Sequence, residues 1–322
     1  MNRLFVALAV STVSAAVCAA ADIVQTEEFI RSAGGPEGLS GLTLDRKGRW
    51  WSVDDRGGML YECRIGFGQD GSVVKFDHVT SVKLEGCTDI EDCAADPLRE
   101  NVIYVSDEKT SEISAHDVVT GRRIETVAMP GDFSRNVRKN RSLESLAISP
   151  DGLTMWTANE DTLVNDGKCA DAKNGGKVRI MRFVRKAAGK PWQFAGWNFY
   201  VTDPAGGKPY KGMIHSGLVA LADSGDGTLL ALEREMSLKN PLFPSFRGRI
   251  YEIRPSPVDG AKVDKRRLWG DDTFIFNYEA MALTPADADG VRRLVTVSDG
   301  GGSAGEAVSA FLLKPARTAS GK

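Results

Sequence analysis

The segment Glu144–Thr162 reads ESLAISPDGLTMWTANEDT, in which two short apolar runs flank the turn sequence SPDG. Four other segments share its plan of an acidic or small residue, an apolar run, a turn, a second apolar run and charged residues. They are EGLSGLTLDRKGRWWSVDDRGG from Glu37, DIEDCAADPLRENVIYVSDEKT from Asp89, SGLVALADSGDGTLLALERE from Ser216 and EAMALTPADADGVRRLVTVSDGG from Glu279. Repeats that start roughly fifty to seventy residues apart match one four-stranded blade each.

Two further apolar runs follow most of these hairpins, as a four-stranded blade requires. The sequence therefore predicts an all-β fold, a β-propeller of four-stranded blades with five repeats visible. A degenerate sixth blade between Lys186 and His215 is the alternative count. The fifth repeat is one strand short, and we predict that Ile23–Ile30 supplies the missing outer strand and closes the ring. A β-sandwich would not explain so regular a repeat.

The composition is that of an ordinary globular chain, with 42% hydrophobic and 26% charged residues among 322. Lysine and arginine number 41 against 43 acidic residues, so no basic excess indicates binding to nucleic acid or to an anionic membrane. The three histidines disfavour a zinc site built from several imidazoles. We expect a monomer.

Residues 1–21 have the pattern of a cleaved export signal. Arg3 is followed by an apolar run and then by the small residues Ala19–Ala21. The run is short and diluted by serine and threonine for a membrane anchor, and Val17 is a poor residue to precede a lipidated Cys18. We predict a periplasmic or secreted protein in which residues 22–322 form a single domain, with no membrane association after cleavage.

Four cysteines remain beyond this segment, namely Cys63, Cys87, Cys93 and Cys169. In an exported protein they predict two disulfides, and the sequence leaves three connectivities open. A metal site is the weaker interpretation, because no C-x-x-C pair exists and no histidine lies nearby in the sequence.

The acidic residues of the repeats recur at the start of the first run and after the second. Antiparallel pairing brings these two ends together, so an innermost first strand would gather all of them at one mouth of the channel. The residues concerned are Glu37, Asp54, Asp55, Asp89, Glu91, Asp107, Glu108, Glu144, Asn159, Glu160, Glu233, Glu235, Glu279 and Asp299. Because so many carboxylates repel one another they need cations, and oxygen ligands in this number favour Ca²⁺ over zinc or copper. For any single acid, a turn cap or a structural ion pair is the alternative.

Basic residues are interleaved with these acids. Arg56, Lys109, Arg141 and Arg234 each lie within three residues of one of them and could clamp a phosphate or another anion. His215 stands where other repeats carry an acid, which makes it a candidate base. The sequence GGSAG around Ser303 matches G-x-S-x-G, but no helical pattern follows it, so a serine hydrolase is the less favoured alternative.

Several of these segments resemble the bacterial phytase-like family, described as esterase-like activity of phytase and itself similar to β-propeller phytases. The segments that carry the resemblance are EGLSGLTLD from Glu37, RSLESLAISPDGLTMWTANE from Arg141, LALERE from Leu230, NYEAMALTP from Asn277 and LVTVSDGG from Leu294. Together they span nearly the whole chain beyond residue 21.

The resemblance implies an exported propeller with phosphoesterase or esterase activity. It also implies several Ca²⁺ ions at the acidic mouth, which hold the substrate phosphates and activate water. On this basis catalysis is expected from Glu144, Arg141, Glu233, Arg234 and His215. Substrate binding is expected from Lys109 and Arg56. The expected metal ligands are Glu37, Asp54, Asp55, Glu91, Asp107, Glu108, Glu160, Glu235, Glu279 and Asp299.

The sequence departs from the repeat at two places beside the expected mouth: the fourth unit begins with His215, and the third carries the insertion Thr162–Lys177. We expect an exported, Ca²⁺-assisted phosphomonoesterase or esterase. The alternative is a non-enzymatic propeller of the cell envelope that binds a ligand or a protein partner. The fold alone does not decide between them.

Overall fold

The computed structural model describes residues 22–31, 36–206, 214–240, 243–274, 276–299 and 306–315. The predicted signal segment 1–21 and Ser303 lie outside these described residues. Secondary structure within them is almost entirely β, apart from the short helix Phe133–Asn136 and the 3-10 turn Val164–Asp166. None of the helical segments in these ranges has the length and apolarity needed to cross a bilayer.

Two short strands, β1 (Asp22–Gln25) and β2 (Phe29–Arg31), open the described chain, and five antiparallel blades account for the rest. Blade 1 contains β3 (Leu39–Leu44), β4 (Trp50–Asp54), β5 (Met59–Phe67) and β6 (Val73–Lys83). Blade 2 contains β7 (Ile90–Ala95), β8 (Val102–Asp107), β9 (Glu112–Asp117) and β10 (Arg123–Val127). Blade 3 contains β11 (Leu143–Ile148), β12 (Thr154–Asn159), β13 (Lys177–Val184) and β14 (Gln193–Val201). Blade 4 contains β15 (Ile214–Asp223), β16 (Leu229–Asn240), β17 (Phe243–Arg254) and β18 (Asp264–Phe274). Blade 5 contains β19 (Asn277–Leu283), β20 (Arg292–Asp299) and β21 (Glu306–Lys314), with β1 as its fourth strand.

The first strand of every blade is the innermost one, because β3, β7, β11, β15 and β19 contact one another in succession around the ring. The chain is therefore a five-bladed β-propeller, and the predicted fold is confirmed. The stretch in which a sixth blade was the alternative contributes β14, the outer strand of blade 3.

The ring closes between the two ends of the described chain, as predicted. Strand β1 pairs antiparallel with β21, from Asp22 opposite Lys314 to Gln25 opposite Phe311, and β2 pairs with the start of β21. The outermost strand of blade 5 thus comes from the opposite end of the sequence. This pairing covers the edge of β21 that would otherwise be open.

The hydrophobic core consists of five layers, one between each pair of neighbouring blades. Alternation along a strand distributes side chains between two layers, since successive residues point to opposite faces of a sheet. Trp50 of β4 packs against blade 5, whereas the next residue, Trp51, packs against blade 2. Each blade is thus buried on both faces, which explains why its strands carry long apolar runs.

The four cysteines are free thiols, so the prediction of two disulfides is wrong. Cys63 lies in the layer between blades 5 and 1, and Cys93 lies in the layer between blades 1 and 2. Cys87 contacts Nε2 of His116 at 3.5 Å. Cys169 lies in the insertion and hydrogen-bonds to Asp161. Three of the four are fully buried and pack like small apolar side chains, a role that a cysteine count does not reveal.

A buried ion pair joins blades 2 and 3 at the end of the propeller opposite the acidic mouth. Asp96 follows β7 and Arg185 follows β13, and neither side chain is exposed to solvent. Arg185 donates from Nη2 and Nη1 to the two carboxylate oxygens at 2.5 and 2.8 Å. Burial alone would raise the pKa of Asp96, but hydrogen bonds from Arg185 and Arg99 hold it below its usual value.

We predict that Asp96→Asn destabilises the propeller by about 3–5 kcal/mol, because it leaves the Arg185 guanidinium charged and unpaired in the interior. The control is Glu100→Gln, which breaks the exposed ion pair with Lys47 and should cost only about 0–1 kcal/mol. Urea denaturation of both variants measures the difference. A loss below 1 kcal/mol for Asp96→Asn would contradict the assignment of this pair as an interblade tie.

Candidate functional site

The inner two strands of each blade meet at the mouth in the same register. Leu39, Ile90, Leu143, Leu218 and Tyr278 of the inner strands lie opposite Asp54, Asp107, Asn159, Glu233 and Ser298 of the second strands. In every blade a bulge interrupts the pairing directly after this position. The five blades can therefore be compared residue by residue at the mouth.

Two rings of equivalent residues follow from this register. The residues that follow the paired position on the second strands form the rim ring: Asp55, Glu108, Glu160, Arg234 and Asp299. The bulged residues of the inner strands form the bulge ring: Ser40, Glu91, Glu144, Val219 and Glu279. Members of both rings interact electrostatically across blade boundaries, as Glu91 does with Glu279 and Asp55.

The acids one position earlier on the second strands cap turns instead. Asp54 accepts hydrogen bonds from the backbone N–H of Gly57 and Met59 and from the Tyr61 hydroxyl, at 2.8–3.0 Å. Asp107 accepts from the N–H of Thr88 and from both the N–H and the hydroxyl of Thr110. Their oxygens are satisfied by the protein, so the structure does not bring these two predicted ligands into the central group.

Glu233 and Glu235 belong to a separate buried network in blade 4. Glu233 accepts from the Tyr200 hydroxyl at 2.5 Å and from Nζ of Lys265 at 2.7 Å. Glu235 accepts from Nη2 of Arg249 at 3.2 Å and from the N–H of Gly206 at 2.9 Å. Both side chains are fully buried. Sequence reasoning placed them at the mouth, but strand alternation turns them away from Arg234, which lies between them.

The structure brings five carboxylates together on the side of blades 2 and 3. Ligand oxygens of Asp89, Glu91 and Glu108 lie within 4.8 Å of one another, and so do those of Glu108, Glu144 and Glu160. Glu108 belongs to both trios. Ca²⁺ binds oxygen ligands at about 2.3–2.6 Å, so oxygens on opposite sides of one ion lie about 5 Å apart. These acidic groups could therefore hold a metal ion.

The electrostatics of this group are those of crowded, buried like charges. Burial, and then Glu91 and Glu160, raise the pKa of Glu144 well above its usual value. Burial and neighbouring carboxylates also raise the pKa of Glu108 to about 7 and that of Asp55 to about 6. A bound cation would favour the charged form of each group and so oppose these shifts.

Arg234 is the cation buried among these acids. Its Nη2 donates to Oε1 of Glu160 at 2.5 Å, and its Nη1 donates to Glu279 and, at 3.2 Å, to Asn277. Only 14% of its side chain is exposed. Burial opposes its charge, but Glu279, Glu160 and Glu144 raise the pKa of Arg234 above its ordinary value.

The other basic residues near these acids are more exposed than Arg234. Arg141 pairs with Asp161 while a third of its side chain remains exposed. Arg56 is half-exposed and lies 3.4 Å from Asp55 and 3.6 Å from Asp299. Lys109 is exposed and interacts with Asp89. Glu37 is exposed in the segment before β3.

Asp161 is a residue of this region that sequence reasoning missed. Burial opposes its charge, but hydrogen bonds from His215 and Cys169 lower the pKa of Asp161 to about 2. His215 lies between two carboxylates, with Nδ1 3.3 Å from Glu160 and Nε2 3.5 Å from Asp161. The sequence does contain a signal for Asp161, namely that it directly follows Glu160. Two adjacent acids at the end of a strand point in opposite directions, so each of them is a candidate.

The insertion Thr162–Lys177 is held against the mouth by Arg138 and by Asp161. Arg138 donates from Nε to the carbonyl of Thr162 at 2.7 Å and from Nη2 to that of Gly167 at 2.8 Å. Cys169 reaches Asp161 from this insertion. The insertion therefore forms a wall beside Arg141 and His215.

Comparisons with known proteins identify one family and several distant structural neighbours. The model of the phytase-like family, described as esterase-like activity of phytase, matches residues 35–300. Glutaminyl cyclase from Myxococcus xanthus is 11% identical, with 92% of this chain and 98% of that chain covered and a TM-score of 0.45. The PQQ-bound aldose sugar dehydrogenase from Streptomyces coelicolor is 11% identical over 88% of this chain and 98% of that chain, with a TM-score of 0.43. A comparison with curated proteins gives no match. Because the family model covers most of the sequence, the chain belongs to the phytase-like family.

Proposed function

We propose that this chain is an exported, monomeric hydrolase that cleaves phosphate or carboxylic esters at the acidic mouth with the help of Ca²⁺. The observation that carries the proposal is the pair of carboxylate trios that share Glu108, which interacts with the partly exposed cation Arg141. Export is supported by the sequence pattern of residues 1–21.

The donor set fits a hard divalent ion. All five residues of the two trios, Asp89, Glu91, Glu108, Glu144 and Glu160, offer carboxylate oxygens, which Ca²⁺ prefers and which soft metals do not. When bound, the ion would offset the repulsion among these carboxylates and polarise an ester or phosphoryl oxygen as a Lewis acid.

The residues around the trios supply the rest of the chemistry. Arg141, a third of whose side chain is exposed, is placed to bind anionic oxygens of the substrate, and Lys109 adds charge beside Asp89. His215 lies with Nε2 3.5 Å from Oδ2 of Asp161 and Nδ1 3.3 Å from Glu160, so its imidazole bridges these two carboxylates. Glu160 at Nδ1 orients the imidazole ring.

Chelation is expected to abolish hydrolysis of p-nitrophenyl phosphate or p-nitrophenyl acetate, and added Ca²⁺ is expected to restore it. Glu108→Gln removes the ligand shared by both trios, so we expect a loss of about 100-fold or more in Ca²⁺ affinity and in kcat/KM. The matched control is Asp77→Asn on β6, an exposed acid of blade 1 away from the mouth, which should change neither quantity.

Turnover that is insensitive to chelator would contradict the metal-assisted mechanism. Absence of turnover with both esters, while Ca²⁺ still binds with Glu108-dependent affinity, would instead support the non-enzymatic alternative.

The metal-free protein is expected to lose stability as the pH rises from about 5 to about 8. Burial and like charges raise the pKa of Glu108 and Glu279 to about 7, so the folded chain binds these protons more tightly than the unfolded chain does. Their stabilising contribution is complete below the ordinary value of 4.5 and disappears as the pH rises through the folded values.

Melting temperatures measured in EGTA across this pH range would show the decline. Ca²⁺ should reverse it, because the ion binds the deprotonated carboxylates. The variant Glu108→Gln should have a shallower slope in EGTA than the wild type. A melting temperature that rises steadily with pH in EGTA would show that the carboxylates do not crowd one another as described.

A further inference from the structure

The two halves of the mouth differ in how their carboxylates are neutralised. Towards blades 4 and 5, Glu279 pairs with Arg234 and accepts a hydrogen bond from Nδ2 of Asn277 at 2.5 Å. Glu160 pairs with Arg234 and lies 3.3 Å from Nδ1 of His215. Towards blades 2 and 3, the largest electrostatic influences on Glu91 are other carboxylates. The trio of Asp89, Glu91 and Glu108 lies wholly in this second half, and the other trio extends from Glu108 and Glu144 to Glu160 at the boundary between the halves.

The repeat shows why the halves differ. Arg234 occupies the rim-ring position of blade 4, where the other four blades carry Asp55, Glu108, Glu160 and Asp299. The bulge-ring position of the same blade is Val219, whereas blades 2, 3 and 5 carry glutamates there. Blade 4 thus contributes a cation and an apolar side chain where most of its counterparts contribute two acids.

We infer that Arg234 is a resident cation that takes the place of a metal ion between Glu160 and Glu279, and so confines divalent ions to the half of the mouth formed by blades 2 and 3. This inference rests on the proposed metal-binding function. It differs from the expectation that Arg234 contacts a substrate phosphate.

The contacts of Arg234 suit this role. Its guanidinium spans carboxylates from two different blades, and a planar group with several fixed donors bridges such a pair better than an ammonium group does. Only 14% of its side chain is exposed, against 32% for Arg141 and 51% for Arg56, so Arg234 is the least accessible of these three cations. Arg234 is therefore a positioning residue for Glu160, which belongs to one of the trios.

The test is the number of Ca²⁺ ions bound per chain, measured by plasma mass spectrometry after equilibrium dialysis, together with the melting temperature in EGTA and in Ca²⁺. We expect Arg234→Met to bind one more ion than the wild type, because Glu160 and Glu279 lose their shared countercharge. Its melting temperature in EGTA should fall below that of the wild type and rise further on addition of Ca²⁺. Arg234→Lys keeps the charge and should bind the wild-type number of ions.

Two substitutions of the acids test the same inference without removing a buried cation, and they decide the matter if Arg234→Met does not fold. Glu279→Gln should leave the ion number unchanged, because Glu279 is neutralised by Arg234 and Asn277. Glu108→Gln should lower the ion number. Loss of an ion in Glu279→Gln would overturn the inference, since Glu279 would then be a metal ligand.

An unchanged or smaller ion number in a folded Arg234→Met would also overturn it. Failure of the proposed function gives a different result. If the wild type binds ions but cleaves no ester, the hydrolase proposal fails while the gain of an ion in Arg234→Met still supports the resident cation. If the wild type binds no ion, the metal proposal fails, and the ion number of Arg234→Met still tests the role of Arg234. One bound ion in this variant would support that role, whereas the absence of a bound ion would overturn it.

Discussion

Antiparallel pairing between the first two strands of each blade fixes which side chains reach the mouth of this propeller. The bulge that follows the paired position is present in all five blades, and it presents two successive residues of the inner strand where a regular ladder would present one. The bulge ring and the rim ring are both consequences of this register. A shift by one residue would exchange Asp55 for the turn cap Asp54 and Arg234 for Glu233, and the mouth would lose its buried cation.

The register concentrates negative charge in a place where water cannot screen it fully. The repulsion among these carboxylates is reduced in three ways, each in a different part of the ring. Arg234 neutralises Glu160 and Glu279, Arg56 approaches Asp55 and Asp299, and the trios around Glu108 keep raised pKa values. Within the described residues, the trio members other than Glu160, namely Asp89, Glu91, Glu108 and Glu144, form no ion pair with a basic side chain. Because the two halves are neutralised differently, the charge distribution at the mouth is asymmetric, although the fold has nearly regular repeats.

The sequence was sufficient to predict the propeller, its five visible repeats and the closure by the N-terminal strand, because hairpin periodicity and a missing outer strand are local patterns. It also predicted that acids gather at one end. It could not separate Asp54 from Asp55 or Glu233 from Arg234, since adjacent residues differ in orientation only once the bulge position is known. Asp161 was missed for the same reason. The prediction of two disulfides failed because the cysteines are thiols, three of which are buried in the fold. Such burial depends on packing, which the spacing of cysteines in the sequence does not encode.

Closure of the ring by β1 has a consequence for the order in which the chain folds. The hydroxyl of Thr26 donates to the carbonyl of Ala310, a residue 284 positions away, so blade 5 is completed only when both ends of the chain are present. The entropy of closing so long a loop grows only with the logarithm of its length, but contacts this distant in sequence slow folding. A chain that ends before β21 leaves β1 without its partner and exposes β20. Glu279 and Asp299 would then lie in a blade reduced to β19 and β20, so the support of the rim and bulge positions of blade 5 depends on the complete ring.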